Sequence, residues 1–289
     1  MLGRVADLSD SILITRGSGS QGILYNTVMS GMDFSLRTTV IPSIPLDSKL
    51  LVSQKSIERL RFAQVCAIVS DHSGAGLGTA AFDNLLSPLL EQFYITVDVH
   101  RTTSKTSYRD YITSIHFSHD HENVIIIFGG DTMVYELLNS LPNNPYLTRS
   151  HQITIFPVPC GTGNALTTSL GITTIPIGIS RIFGVSESDP VKSSRLPVMK
   201  ITIRENSDEC VYWSAVVCSW GLHASLVADS DTPEMRREYG ARRFVVAFAH
   251  SFHPNHRLPP NVCCRRSHIF IMVLYEEIIS LWTNTSIHI

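Results

Sequence analysis

The stretch Ile127-Phe128-Gly129-Gly130-Asp131-Thr132-Met133-Val134-Tyr135-Glu136-Leu137-Leu138-Asn139 decides the fold. It leaves an all-apolar run, residues 124–128, turns on two glycines and an aspartate, and continues with Val134, Leu137, Leu138 and Leu141 at helical spacing. A short run that is apolar at every position reads as a strand buried on both faces. Apolar residues three and four apart mark the buried face of a helix. Strand, glycine turn and helix in direct succession make half of a parallel β-α-β unit.

The same grammar extends in both directions. The run 62–69 reads as a strand that enters the loop Ser70-Asp71-His72-Ser73-Gly74-Ala75-Gly76-Leu77-Gly78. A helix follows with Phe82, Leu85, Leu86, Leu89, Leu90 and Phe93 on one face, and Pro88 is expected to kink or shorten it. Residues 95–99 make a second strand, and Tyr108, Tyr111, Ile112 and Ile115 mark a second helix. The run 153–158 feeds Pro159-Cys160-Gly161-Thr162-Gly163-Asn164 and a short helix ending at Gly171. Alternating apolar strands and helices predict an α/β fold, an open Rossmann-like parallel sheet covered on both faces. Ligands of such sheets bind at the carboxyl ends of the strands, where all three glycine-bearing loops fall.

Four segments are expected. Residues 1–60, with apolar runs at 11–15 and 22–29, read as a β-rich extension, and 61–175 as the α/β domain. Residues 176–250 read as the incomplete start of a β-rich second domain: a hairpin of 198–204 and 211–219 around a polar turn, then a helix over 234–250. Residues 251–289 follow neither pattern.

Bulk properties exclude several classes. The chain has 289 residues, 44% of them hydrophobic and 17% charged, which supplies a core and argues against disorder. With 23 Lys+Arg against 25 Asp+Glu there is no basic field for nucleic acid. No signal pattern opens the chain, and the apolar run 269–282 is interrupted by Glu276 and Glu277 and is short of a membrane span, so no transmembrane segment and a cytoplasmic location are expected. The six cysteines show no metal or disulfide spacing and read as buried thiols. His116, His119 and His121 are expected to be solvated rather than to hold a metal.

Phosphate loops use glycine because backbone N–H groups must reach the anion unobstructed, and a following helix adds its dipole. One such loop is weak grounds; three after strands of one sheet are much stronger. The stretch quoted above resembles the signature GGDGTxxExxN of the diacylglycerol kinase catalytic domain, found in sphingosine, ceramide and diacylglycerol kinases. Pro159-Cys160-Gly161-Thr162-Gly163-Asn164-Ala165-Leu166 is similar to that family's second element. Ser219-Trp220-Gly221-Leu222-His223-Ala224 with Arg236, Arg237, Gly240, Arg243 and Phe244 is similar to a segment of sphingosine kinases. The resemblance covers about residues 61–250.

It implies an ATP- and Mg²⁺-dependent lipid kinase, similar in fold to NAD kinases, acting on a sphingoid base or diacylglycerol at a membrane surface. Asp131 would be the general base, with capping of a helix as its alternative role. Nucleotide contacts would come from Ser70, His72, Gly74, Gly76, Gly129, Gly130, Glu136, Gly161, Thr162, Gly163, Asn164, Arg237 and Arg243, the arginines neutralising the transferring phosphoryl group. Trp220 would meet the lipid head together with Ser225, which stands where the family carries an acidic residue, with Asp229 or Asp231 as the substitute for that acid.

The chain also departs from the pattern. Ser70 and His72 stand where sphingosine kinases carry Asn and Arg. Thr132 replaces a glycine; a β-branched residue resists positive φ and adds atoms where backbone should meet phosphate, so Thr132 is expected to obstruct nucleotide binding. The family's later D-G-E segment has no counterpart, which predicts a chain truncated relative to the family, its tail 251–289 foreign to it. A catalytically impaired relic and a soluble-substrate kinase of the NAD kinase type are the competing expectations.

Overall fold

The computed structural model describes residues 11–44, 49–148, 150–185, 195–205, 208–216, 222–251, 272–274 and 286–288. Two compact units divide them, one of residues 1–198 with 277–289 and one of Met199–Glu276.

The first unit opens with an antiparallel meander, β1 (Ser11–Arg16), β2 (Gly22–Ser30) and β3 (Asp33–Ile41). Helix α1 (Gln54–Phe62) follows, started by Ser53, whose hydroxyl accepts from Ser56 N at 3.1 Å. This helix takes Phe62 out of the expected strand, and β4 is Gln64–Val69. A polar sequence with only Ile57 and Leu60 buried carries too faint a stripe to read in advance.

After β4 the chain forms α2 (Gly78–Ala81), a π turn (Phe82–Leu86) and α3 (Ser87–Gln92) without a break. Pro88 sits in the first turn of α3. The wider turn before it has Ser87 N donating to Phe82 O, so the proline ring meets no standard i−4 bond and the expected kink is replaced by a π bulge. Strand β5 is Asp98–Arg101, two to three residues later than the apolar run suggested. Helix α4 (Lys105–Ser114) starts with a Ser104–Ser107 capping box. Then come β6 (Asn123–Gly129), α5 (Asp131–Ser140), β7 (Gln152–Pro159), α6 (Ala165–Ser169) and α7 (Ile175–Ile182).

β4, β5, β6 and β7 pair in parallel in the order β7-β6-β4-β5, and β11 (Ser286–His288) adds beside β7. The fold is α/β, as expected. The chain leaves β4 toward β5 on one side and returns to β6 on the other. The topological switch point therefore lies between β4 and β6.

Every residue of β6 is buried. Burial of one Val or Ile side chain gives roughly 1.5–3 kcal/mol, so this strand is a main anchor of the sheet. Phe128 meets Phe82 edge-on, with ring centroids 5.7 Å apart. Ile12, Leu13, Tyr25 and Phe34 of the meander share this core with Leu85, Leu89 and Phe93.

The second unit holds β8 (Met199–Glu205), β9 (Asp208–Ser214) and β10 (Met272–Leu274) in the order β10-β8-β9, all antiparallel. The expected hairpin is present, but β9 starts at Asp208, inside the segment read as a polar turn, and ends at Ser214. Helix α8 (Leu222–Ser230) follows. The single helix expected over 234–250 is two, α9 (Pro233–Tyr239) and α10 (Arg243–Ser251). Gly240, at φ 51° and ψ −123°, breaks it.

At the amino end of the sheet, His151 is 1% exposed and accepts a hydrogen bond from Thr148 N on Nδ1 at 2.8 Å. Its ring lies 4.1 Å from that of His119, while His116 stacks on Tyr146. Burial, then the neighbouring His119, hold His151 below the ordinary histidine range. The folded protein therefore binds fewer protons here than the unfolded chain does. The stabilisation is complete above the unfolded value of about 6.5 and declines as pH falls through it toward the lower folded value. Thermal melts from pH 8 to pH 5 should show a decline that His151→Gln flattens; an identical profile in the variant contradicts this assignment.

Candidate functional site

Three loops meet at the carboxyl edge of the sheet, and they meet through glycine backbones. A Cβ placed on Gly161 would lie 2.5 Å from Gly130 Cα, and one on Gly130 would lie 3.1 Å from Gly161 Cα. A Cβ on Gly74 would strike the Cys160 carbonyl and lie 2.9 Å from the Gly161 carbonyl carbon. Gly74 also holds φ +57°, which side chains resist. The loops after β4, β6 and β7 thus form one backbone platform beside the switch point.

Hydrogen bonds fasten it. Cys160 N and Gly161 N both donate to Gly129 O, at 3.0 and 3.2 Å. Ser70, buried at the end of β4, donates its N–H to Phe128 O at 3.1 Å. Asn164 closes the third loop on itself: Gly161 N donates to Oδ1 at 2.9 Å, and Nδ2 donates to Gly161 O at 2.6 Å. Its backbone is left-handed, at φ 43°, which asparagine accepts better than most residues. These contacts give the side chain of Asn164 a structural task.

Gly163 differs from its neighbours. It is exposed, lacks a positive φ, and a Cβ there would meet nothing within 4 Å. Among the described residues nothing packs against this position, and its backbone conformation does not call for glycine. Thr162 beside it is exposed as well.

Asp131 is the first residue of α5, and its carboxylate reaches across to the next helix. Oδ2 accepts from Ala165 N at 2.7 Å and Oδ1 from Leu166 N at 3.1 Å. The expected alternative role for this residue is to cap the helix it opens; the helix that it caps is α6, and both carboxylate oxygens take part. The N-terminus of α5 itself, at Gly130, has no side-chain cap. In its first turn Met133 N donates to Gly130 O at 3.0 Å.

Thr132 corrects an expectation. It is the second residue of α5, helical and exposed, and the positive-φ residues other than glycine among the described residues are Tyr94 and Asn164. A β-branched residue is not strained in that position, so the conformational objection to Thr132 falls away.

The remaining candidates occupy varied surroundings. Gly129 is closely covered by the Met133 side chain. Gly76 holds φ +74°, and a Cβ there would lie 3.0 Å from Asp71 O. His72 is exposed in the first loop. Glu136 pairs with Arg109 of α4 at 3.4 Å, with side chains 31% and 61% exposed, an arrangement worth no more than about 1 kcal/mol. Neighbouring Tyr108 is buried and donates to Met133 O at 2.7 Å. Burial raises its pKa well above the ordinary value, and the Glu136 charge adds to this.

In the second unit Asp231 pairs with Arg236 at 2.6 Å and with Arg243 at 3.5 Å. Arg243 is 6% exposed, donates to Gly240 O at 3.1 Å and lies over the Phe244 ring. Arg237 is exposed and Asp229 half-buried. Trp220 lies outside the described residues, as does the side chain of Ser225.

Sequence reading missed a polar network on the same edge. Thr79 donates to Asp71, and Arg101 binds Thr79 Oγ1 at 3.1 Å and Asp83 at 2.6 Å. Arg101 closes β5, and placing that strand too early hid it. Among the described residues no group of three or more His, Cys, Asp or Glu could hold a metal ion, and no helix is long and apolar enough to cross a membrane.

Residues 64–194 match the family model described as the diacylglycerol kinase catalytic domain. Over 193 residues the chain is 23% identical to sphingosine kinase 1 of Mus musculus, covering 64% of this chain and 48% of the relative. It is also 23% identical to sphingosine kinase 1 of Rattus norvegicus over 194 residues, with the same shares. The match spans about half the length of these curated relatives. A solved structure described as "A putative diacylglycerol kinase from Bacillus anthracis str. Sterne" is 20% identical, with a TM-score of 0.35, covering 50% of this chain and 46% of that one.

Two substitutions separate packing glycines from the open one. Gly161→Ala should cost about 1–3 kcal/mol by overpacking against Gly130, while Gly163→Ala should leave the melting temperature within about a degree. Equal losses in the two melts contradict the division.

Proposed function

We propose, from the premise that residues 64–194 belong to the diacylglycerol kinase catalytic-domain family, that this chain transfers the γ-phosphoryl group of ATP to the primary hydroxyl of a lipid. A sphingoid base is the favoured acceptor, ahead of diacylglycerol. The curated relatives named above are sphingosine kinases, and the Trp220 segment resembles theirs. The observation that carries the reading is Gly163: a glycine with open space over it, on a platform of three glycine loops beside the switch point. A missing side chain that nothing inside the protein requires is what a phosphate approaching the backbone does require.

In this reading the backbone around the open Gly163 and the N-terminus of α5 hold the phosphates. The acceptor hydroxyl oxygen bonds to the γ-phosphorus, the bond to the bridging oxygen breaks, ADP leaves, and the hydroxyl proton passes to Asp131. The two N–H groups from Ala165 and Leu166 aim the carboxylate, and each oxygen retains a lone pair. Mg²⁺ would arrive as part of a Mg·ATP complex, with Asp131 as the platform carboxylate available to it, and it would supply charge neutralisation. Docking at a cytoplasmic membrane surface would bring the lipid to this edge.

The engagement of both Asp131 oxygens also favours a second reading, a catalytically impaired member that retains nucleotide binding. Radiolabelled ATP with sphingosine and with diacylglycerol in mixed micelles separates the two, with Asp131→Ala as the blank. The first reading predicts labelled sphingoid phosphate at least about a hundredfold above the blank, the scale of general-base catalysis. Label equal to the blank with ATP still bound supports the second, and no ATP binding rejects both.

A further inference from the structure

Met133 lies one turn into α5, yet its side chain turns back over the start of the site. It occupies the space where a Cβ of Gly129 would stand, its Cγ 3.0 Å from that point. Its sulfur lies 3.7 Å from the hydroxyl of Ser73 in the first glycine loop. Its backbone is pinned at both ends, with the N–H donating to Gly130 O at 3.0 Å and the carbonyl accepting from the buried Tyr108 hydroxyl at 2.7 Å. Met133 is 9% exposed, so this is a packed side chain and not a surface contact.

We propose that Met133 is a positioning residue that holds the first glycine loop onto the other two. Gly74 touches the third loop through backbone alone, at Cys160 and Gly161. Ser73, the residue before it, meets the thioether, which fills the gap between Gly129 and Ser73. A flexible unbranched side chain suits a gap of irregular shape. Removal of its terminal atoms leaves Gly129 uncovered and Ser73 without this contact, while β4 and α5 keep their own hydrogen bonds. Leucine keeps most of the volume and is expected to restore the function, because the Ser73–sulfur contact is long and weak while the filling is what the gap lacks. Because the loop lies on the platform proposed to hold phosphates, Met133 sets affinity for nucleotide and not for lipid. This last step rests on the kinase reading.

The test uses the full chain as wild type, Met133→Ala and Met133→Leu. Amide hydrogen exchange is followed at residues 71–77, and KM for ATP, KM for sphingosine and kcat are measured together. In Met133→Ala, exchange over 71–77 should accelerate severalfold while β4 stays protected, and KM for ATP should rise severalfold with kcat and KM for sphingosine unchanged. Met133→Leu should return both to near wild type. Should the alanine variant fail to fold, Met133→Val shortens the side chain and is judged by the same readouts. Unchanged exchange at 71–77 overturns the clamp, as does a fall in kcat with both KM values unmoved. Wild-type protein that binds no ATP overturns the kinase reading instead, and the exchange result then decides the clamp alone.

Discussion

Gly130 and Gly161 stand so close that a methyl group on Gly161 would lie 2.5 Å from the Cα of its neighbour, and Gly74 closes on the same point from the other side. Backbone contact of this kind brings polar groups together without side chains between them, and it fixes where three strands can end relative to one another. β4, β6 and β7 must stop at one level for their loops to touch, and the parallel register, with Gly129 opposite Pro159 and Val69 opposite Phe128, sets that level. The site depends on this contact because each loop borrows its shape from the other two.

Asp131 belongs to the same construction. Its carboxylate leaves α5, crosses to the N-terminus of α6 and accepts two of that helix's free N–H groups. A helix of five residues has little stability of its own. The carboxylate therefore binds the third loop to the second through charge-assisted hydrogen bonds. Orienting a carboxylate in this way and using it as a proton acceptor are compatible tasks.

The parallel sheet was legible because β4, β6 and β7 are apolar at nearly every position, and because each runs into glycine at the edge where ligands bind. Other elements were not. Helix α1 buries only two apolar side chains, so its stripe is lost among Gln, Lys, Arg and Ser. Pro88 promised a kink, yet the π turn of Phe82–Leu86 removed the bond that proline would have broken. Thr132 promised strain that a helical position does not impose. At the site, glycine identity was legible and glycine purpose was not. Gly74, Gly130 and Gly161 make room for one another, Gly163 makes room for nothing among the described residues, and no feature of the sequence distinguishes them. The reach of Asp131 to a helix 34 residues away, and that of Met133 over Gly129, are likewise properties of packing.

Titration calorimetry of Mg·ATP into the full chain, as wild type and as Gly163→Val, tests the central claim most directly. The account predicts that wild type binds one nucleotide and that Gly163→Val, melting at the same temperature, loses that binding by more than tenfold. Equal affinity in the two proteins would contradict the assignment of the platform as the phosphate site, and absence of binding to wild type would contradict the kinase reading itself.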